Sequence, residues 1–559
     1  MASTLKLKDL TSLDLENGAK IEAEVEGVEN GKVLLIKHEG QVHAMTPRCT
    51  HYGAPLVKGV LAPDGRLTCP WHGACFNIVT GDVEDAPAYN ALNKYEVFEK
   101  DGAVYVKADE ALIKTAGRTP ISTCTVTDPQ QRVVIVGGGP GAFGTAEVLR
   151  KQGFKGQVTI ISKEPNLPLD RTKLSKALIP DADKILLRGK EWYSSVTINT
   201  IFDEVTAVDF GKKSVSTASG KSLAYNKLVL ATGGTPRKLP LPGFKELGNI
   251  FVLRSVSDVQ AILAAVGEKN RNIVVIGSSF IGMEVGNCLS KENNVTIVGM
   301  ESAPLERVMG AEVGRIFQRN LEKSGVKFYL SASVEKAEPS SNDVSKVGSV
   351  HLKDGTLLPA DLVILGIGVS PATEYLRDNT SVTLEKDGSL KTDDLFAVQG
   401  LEDVYAIGDI ATYPYHGPGA NQGGVSHVRI EHWDVAQNAG RSVGRTLAHT
   451  FSSSSPKKHP IKPRHFIPVF WSALGAQLRY CGNTMNGYDH VILKGEPENS
   501  KFVAFYTLGD TVVASASMGM DPIVAKCVEL MRRGTMPGRK ELEAGVDVFE
   551  LDLHGKIVI

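Results

Sequence analysis

Two pairs of residues near the N-terminus carry the clearest chemistry in this 559-residue chain: Cys49-Thr-His51 and, after seventeen further residues, Cys69-Pro-Trp-His72. Two thiolates and two imidazoles suit a [2Fe–2S] cluster in which one iron takes both cysteines and the other both histidines. Neutral imidazole in place of thiolate leaves such a cluster less negative and raises its potential to roughly −150 to +300 mV. The competing reading is one structural zinc, which cysteine and histidine also hold. Zinc spacings usually put Cys with Cys and His with His, whereas each pair here mixes the two.

The elements around these pairs must be short strands. From about 20 to 107, apolar runs such as "KVLLIKH" and "AVYVKA" alternate with Gly, Asp and Asn turns, an all-β pattern. On the segments "CTHYGAP" and "CPWHGACF" the first hundred residues resemble a Rieske ferredoxin domain. The resemblance implies that Cys49, His51, Cys69 and His72 hold the cluster. Cytochrome bc-type members add a disulfide between the ligand loops. Gly53, Ala54 and Trp71 stand in that region and Cys75 has no obvious partner, so a ferredoxin-like or oxygenase-like variant is expected.

Composition narrows the rest. A length of 559 predicts three or four domains, and a net charge of −1 gives no global basic field for nucleic acid or anionic membrane. No apolar run reaches the ~20 residues that span a bilayer. The first twenty residues contain acids and no Arg, against a presequence. Five further cysteines (75, 124, 288, 481, 527) show no framework spacing, which fits a reducing compartment. Cytoplasm is the expected address, with a mitochondrial one left open.

Two stretches, "RVVIVGGGPGAFGTAEVLRKQG" and "RNIVVIGSSFIGMEVGNCLSKE", each read strand, Gly-rich turn, helix, and lie about 140 residues apart. They are duplicated nucleotide-binding units. In the first, Gly137, Gly138, Gly139, Pro140 and Gly141 form the turn, Ala142 stands where a third Gly often lies, and Glu164 ends the next strand, placed for ribose hydroxyls. The second has Gly277, Ser279 in place of the middle Gly, and Gly282. Its second strand carries Gly299 where an acid would select the NAD ribose. Glu301 follows as a substitute and no Arg stands at the tip, so the reading leans to NADH over NADPH.

"LPLDRTKLSK", "LVLATGGTPR", "LVILGIGVSP" and "DVYAIGDIA" resemble the FAD-dependent pyridine-nucleotide oxidoreductases; "RIEHWDVAQNAGR" and "PVFWSALGAQLRYCG" resemble their ferredoxin-reductase and apoptosis-inducing-factor branch. Together with the N-terminal boxes, the chain resembles the type 3 apoptosis-inducing-factor-like proteins over nearly its whole length. That resemblance implies FAD contacts from Arg171, Lys176, Arg237, Asp409 and Gly368, with the Val205 backbone facing adenine. It places Lys176 beside the flavin ring and paired with Glu284, and Trp433 and Trp471 near the isoalloxazine. Plain readings stay open: an ordinary ion pair, two core tryptophans and a sheet valine.

No Cys-x4-Cys pair occurs in the first half, which argues against dithiol chemistry. His427 and His432 have the gap of a mononuclear iron site, but Gly424 stands where its acid would be. The expected organisation is multidomain: an all-β Rieske domain (1–107), a linker (108–130), a Rossmann-like α/β FAD domain (131–254 and 373–455) interrupted by an NAD(P)H domain (255–372), and a small α+β domain (456–559). The expected function is passage of electrons from NAD(P)H through FAD to the cluster and on to an unknown acceptor. A redox-signalling protein, or the reductase component of a separate oxygenase, is the alternative, and a homodimer is left open.

Overall fold

The computed structural model describes residues 3–420, 422, 427–452 and 461–559; Gly424 and most of the Ser-rich run at 451–460 lie outside them. The N-terminal part holds two antiparallel sheets. Six strands run in the order Ser3–Lys6, Ala103–Ala108, Lys94–Lys100, Gln41–Met45, Lys32–His38, Lys20–Glu24, so strands begin well before residue 20. Four shorter ones (Val60–Leu61, Arg66–Thr68, Cys75–Asn77, Val83–Asp85) form the second sheet. Leu34, Ile36, Met45, Leu67 and Phe76 fill a core beneath the ligand loops. The Cys69–His72 loop joins two strands of the small sheet, and the Cys49–His51 loop leaves the large one.

Beyond it, a parallel sheet runs Ile198–Phe202, Gln157–Ser162, Arg132–Val136, Lys227–Leu230, Val404–Ala406. Its strands are near-continuous apolar runs because both faces are covered, one by helices Pro140–Lys151 and Trp433–Ser452 and the other by the small antiparallel sheet that holds Val205–Asp209 and Ser214–Thr217. A second five-stranded parallel sheet, centred on Asn272–Ile276, is inserted between Lys227–Leu230 and Val404–Ala406, neighbours in the first. Helices Pro140–Lys151 and Trp433–Ser452 cross at glycine: a Cβ on Gly440 would lie 2.2 Å from the Gly141 carbonyl oxygen. Larger residues would push the helix off the turn it supports. The last sheet is antiparallel, with Val469–Ala473 at its edge and helix Ile523–Arg532 packed on Gln477–Gly482 and Thr511–Met518.

The N-terminal part is docked on the rest through buried charge. Arg188 donates to Asn90 Oδ1 (2.6 Å) and the Tyr89 carbonyl (2.9 Å) while pairing with Glu147. Arg441 donates to the Val83 carbonyl, and Arg464 to the Glu84 carbonyl and Asp85 Oδ1 (2.7 Å). Arg66 takes the other Asp85 oxygen. Burial opposes ionisation of Asp85, but Arg66 and then Arg464 and Arg532 hold its carboxyl well below the usual carboxylate range. Its contribution is therefore present above the unfolded carboxyl value of about 4 and is lost only as pH falls from there through the depressed folded value. Asp85→Asn removes the carboxylate that Arg66 and Arg464 share and leaves them Glu84, an effect on the order of 3 kcal/mol. Amide exchange in strands Arg66–Thr68 and Val83–Asp85 should rise about a hundredfold at neutral pH; unchanged exchange would show that this pair does not hold the interface.

Candidate redox site

The ligand loops present their donors in two like pairs. The Nδ1 atoms of His51 and His72 stand 3.1 Å apart, and Cys49 and Cys69 are hydrogen-bonded to each other through sulfur. Each sulfur also accepts from the backbone N–H groups two and three residues on, of His51 and Tyr52 for Cys49 and of Trp71 and His72 for Cys69. Such local N–H donors stabilise thiolate ligands. Burial lowers the His51 pKa to about 4, and burial followed by the His51 neighbour lowers that of His72, so both imidazoles stay neutral, the ligating form. Among the described residues, no three of these four donors come within 4.8 Å of one another. Four ligands of a single zinc would crowd closer than that, at about 3.4–3.8 Å. A cysteine pair set apart from a histidine pair is the donor arrangement of a two-iron cluster, and the residues fit it.

A cavity of about 1010 Å³ runs along the ends of both parallel sheets. Gly137 to Gly141, Glu164, Arg171, Lys176, Val205, Gly368, Asp409, Trp433 and Trp471 line it, with Ser279 and Glu284 from the second unit. Gly137 has φ +121° and a Cβ there would lie 2.1 Å from the Ala231 carbonyl oxygen, so only glycine lets the strand turn into the helix. A Cβ on Gly139 would meet nothing within 4 Å, leaving the backbone open to pyrophosphate at the helix start. Glu164 Oε2, His432 Nδ1 and Trp471 Nε1, all on lining residues, are buried without a hydrogen-bond partner. The cavity fits FAD along the first unit and a dinucleotide along the second.

Several expected contacts fall elsewhere. Ala142 is fully buried in the sheet–helix core and does not reach the cavity wall. Arg237 is exposed and holds the crossing strands instead, through its backbone N–H to the Gly368 carbonyl and its Nε to the Val369 carbonyl. Gly277 and Gly282 pack rather than line: a Cβ on Gly282 would sit 2.1 Å from the Gly277 carbonyl oxygen. Ser279 fits its turn as the N-cap at φ −78°, and its hydroxyl donates to the Gly366 carbonyl at 2.6 Å. Glu301 is paired with Arg307, Nε to Oε1 at 2.7 Å, and it is Arg307 that lines the cavity. An Arg thus does stand at the tip of the second unit, six residues beyond where the strand pattern looks for it.

Glu284 is 3 % exposed in the wall between the two units. It accepts from Lys176 Nζ (2.9 Å), from Ser472 Oγ (2.5 Å) and from Ser175 Oγ. The expected Lys176–Glu284 pair is thus present, held by two serines that the sequence did not single out. Arg254, also missed, lines the cavity and donates to Asp409 Oδ2 at 2.9 Å; it precedes a helix N-cap and carries no motif of its own. Arg171 is bound to Glu164 and to the Arg254 carbonyl. Trp433 donates through Nε1 to Gln437 Oε1.

Trp471 joins the two sites. It lines the cavity, is 4 % exposed, and its ring centroid lies 5.4 Å from that of His51 and 4.9 Å from that of His72. On the other side of the ligand loop the Tyr52 ring stacks on His51 at 3.8 Å, and its hydroxyl donates to Asp170 Oδ2 at 2.5 Å. Within the expected linker (108–130), residues 110–113 form a short helix and Arg118 bridges to Ala91.

Two nucleotide-binding units sharing one cavity, with a cysteine–histidine cluster site against its wall, define a flavin-dependent NAD(P)H oxidoreductase carrying its own iron–sulfur domain. Residues 131–440 match the pyridine nucleotide-disulphide oxidoreductase family, 6–96 the Rieske [2Fe-2S] domain and 469–548 the reductase C-terminal domain. The chain is 36 % identical over 551 residues to human apoptosis-inducing factor 3, covering 97 % of this chain and 86 % of that protein. It is 31 % identical over 403 residues to a ferredoxin–NAD(P)(+) reductase of a Sphingomonas species (70 % and 90 % covered). Among solved structures, the covalent putidaredoxin reductase–putidaredoxin complex aligns with TM-score 0.65 at 28 % identity, over 72 % of this chain and 93 % of that one. The chain belongs to the apoptosis-inducing-factor-3 branch of the pyridine nucleotide-disulphide oxidoreductases. It is an FAD-dependent NAD(P)H oxidoreductase with a Rieske [2Fe–2S] centre.

Proposed function

We propose that this chain is a self-contained electron-transfer unit, in which Trp471 forms the contact between the flavin cavity and the cluster ligands His51 and His72. The observation that carries this is the single indole ring within about 5 Å of both imidazoles while forming part of the cavity wall. When bound, FAD takes two electrons as hydride from NAD(P)H and can pass them singly to the cluster, which accepts one at a time. The residues supply the setting. Gly137 to Gly141 and the helix they open receive the FAD pyrophosphate, and Glu164 the ribose. Arg254 and Arg171 place positive charge along that half, with Asp409 orienting Arg254. Lys176 sits at the junction of the units, held by Glu284, and positions the reacting rings. Cys49 and Cys69 hold one iron, His51 and His72 the other. The docked arrangement needs no swing of the 108–130 segment. A partner outside this chain takes single electrons. No helix among the described residues is long and apolar enough to cross a membrane.

The test is an anaerobic NADH titration followed by visible absorption and low-temperature EPR. Flavin bleaching should be accompanied by a Rieske-type signal with g values below those of all-cysteine clusters. Bleaching with a silent cluster would overturn the internal chain.

A further inference from the structure

We infer that Asp394, His416 and His465 form a second metal site, separate from the cluster, for a borderline divalent cation of the zinc class. The three come from distant segments: the loop after strand Leu390–Lys391, the turn after Ala411–Pro414, and the extended stretch before Val469–Ala473. Their donor atoms nevertheless all lie within 4.8 Å of one another, the one such group of three among the described residues. His416 Nε2 is 2.5 Å from Asp394 Oδ1, and His465 Nε2 is 3.5 Å from the same oxygen. The two imidazoles are stacked at 3.9 Å between centroids and 19° between planes.

A hydrogen bond accounts for only half of this. Asp394 satisfies His416, whereas His465 Nε2, a buried atom, meets only the same Asp394 oxygen at the long distance of 3.5 Å, too far for a well-formed hydrogen bond. A small cavity of about 20 Å³ is lined by all three residues, enough for one water-sized occupant. Zinc ligands at 2.0–2.2 Å in a tetrahedron stand about 3.4 Å apart. The Asp394–His465 separation already has that value, and the Asp394–His416 contact needs to open by about 1 Å, with a small turn of the stacked rings to aim both lone pairs. Two imidazoles and one carboxylate suit zinc-class ions rather than calcium or magnesium, which take oxygen ligands. None of the three lines the flavin cavity.

The position gives the ion a role. Arg464, next to His465, grips Glu84 and Asp85 of the Rieske domain. An ion on His465 would pin that segment to the FAD domain and so brace the docked cluster.

The experiment uses holoprotein with its flavin and full cluster iron, cleared of loose metal, then titrated with zinc sulfate by calorimetry and assayed for zinc after gel filtration. One zinc per chain should be retained beyond the cluster iron, and zinc should raise the melting temperature. His465→Ala and the milder His465→Gln should each weaken zinc binding about a hundredfold or more. Both should keep wild-type iron content and flavin absorption, which separates this outcome from any failure of the electron-transfer reading. Wild-type protein that retains no zinc at micromolar concentration, or histidine variants that bind it equally, would overturn the site.

Discussion

Trp471→Ala is expected to leave reduction of the flavin by NADH near its wild-type rate while slowing reduction of the cluster by about a hundredfold, the order of effect that follows from losing close positioning of reacting partners. The indole fills the space between the cavity and both histidine ligands, and alanine replaces it with a void. Stability should fall by about 3–5 kcal/mol, as for other buried Trp truncations. Trp471→Phe separates the two effects: it keeps an aromatic ring in place, and Nε1 has no hydrogen-bond partner to lose. Stopped-flow absorption with freeze-quench EPR would resolve the two steps. Cluster reduction as fast in the alanine variant as in wild type would remove Trp471 from the route.

The second large effect concerns Lys176 and Glu284. Lys176→Met takes the cationic partner from Glu284, which is 3 % exposed and keeps only two serine hydroxyls, a loss of about 3–5 kcal/mol for a broken buried pair. The double variant Lys176→Met/Glu284→Leu removes both charges and should return most of that stability. If Lys176 also positions the flavin and nicotinamide rings, the double variant remains slow in flavin reduction despite its recovered fold. Denaturation midpoints, FAD content and anaerobic reduction rates distinguish the cases. Unchanged FAD content and reduction rate in Lys176→Met would reduce the pair to a structural one.

Features that depend on residues close together in the chain could be read without the fold. The Cys-x-His and Cys-x-x-His boxes set their own local geometry, because each sulfur accepts from N–H groups two and three residues on. Gly137 was readable because a strand that turns sharply into a helix admits no side chain there. Even the Lys176–Glu284 pair was legible, though only through resemblance, since 107 residues separate its members. Tertiary structure alone decided which side chains meet across the fold. It put Arg254 rather than Arg237 at the cavity, supplied Glu301 with Arg307, sent Ala142 to the core, and set Trp471 against the cluster histidines. Asp394, His416 and His465 have no shared spacing and could not be grouped from the sequence. Helix and strand periodicity fixes which face a residue occupies; which distant face packs against it is set by the arrangement of whole sheets.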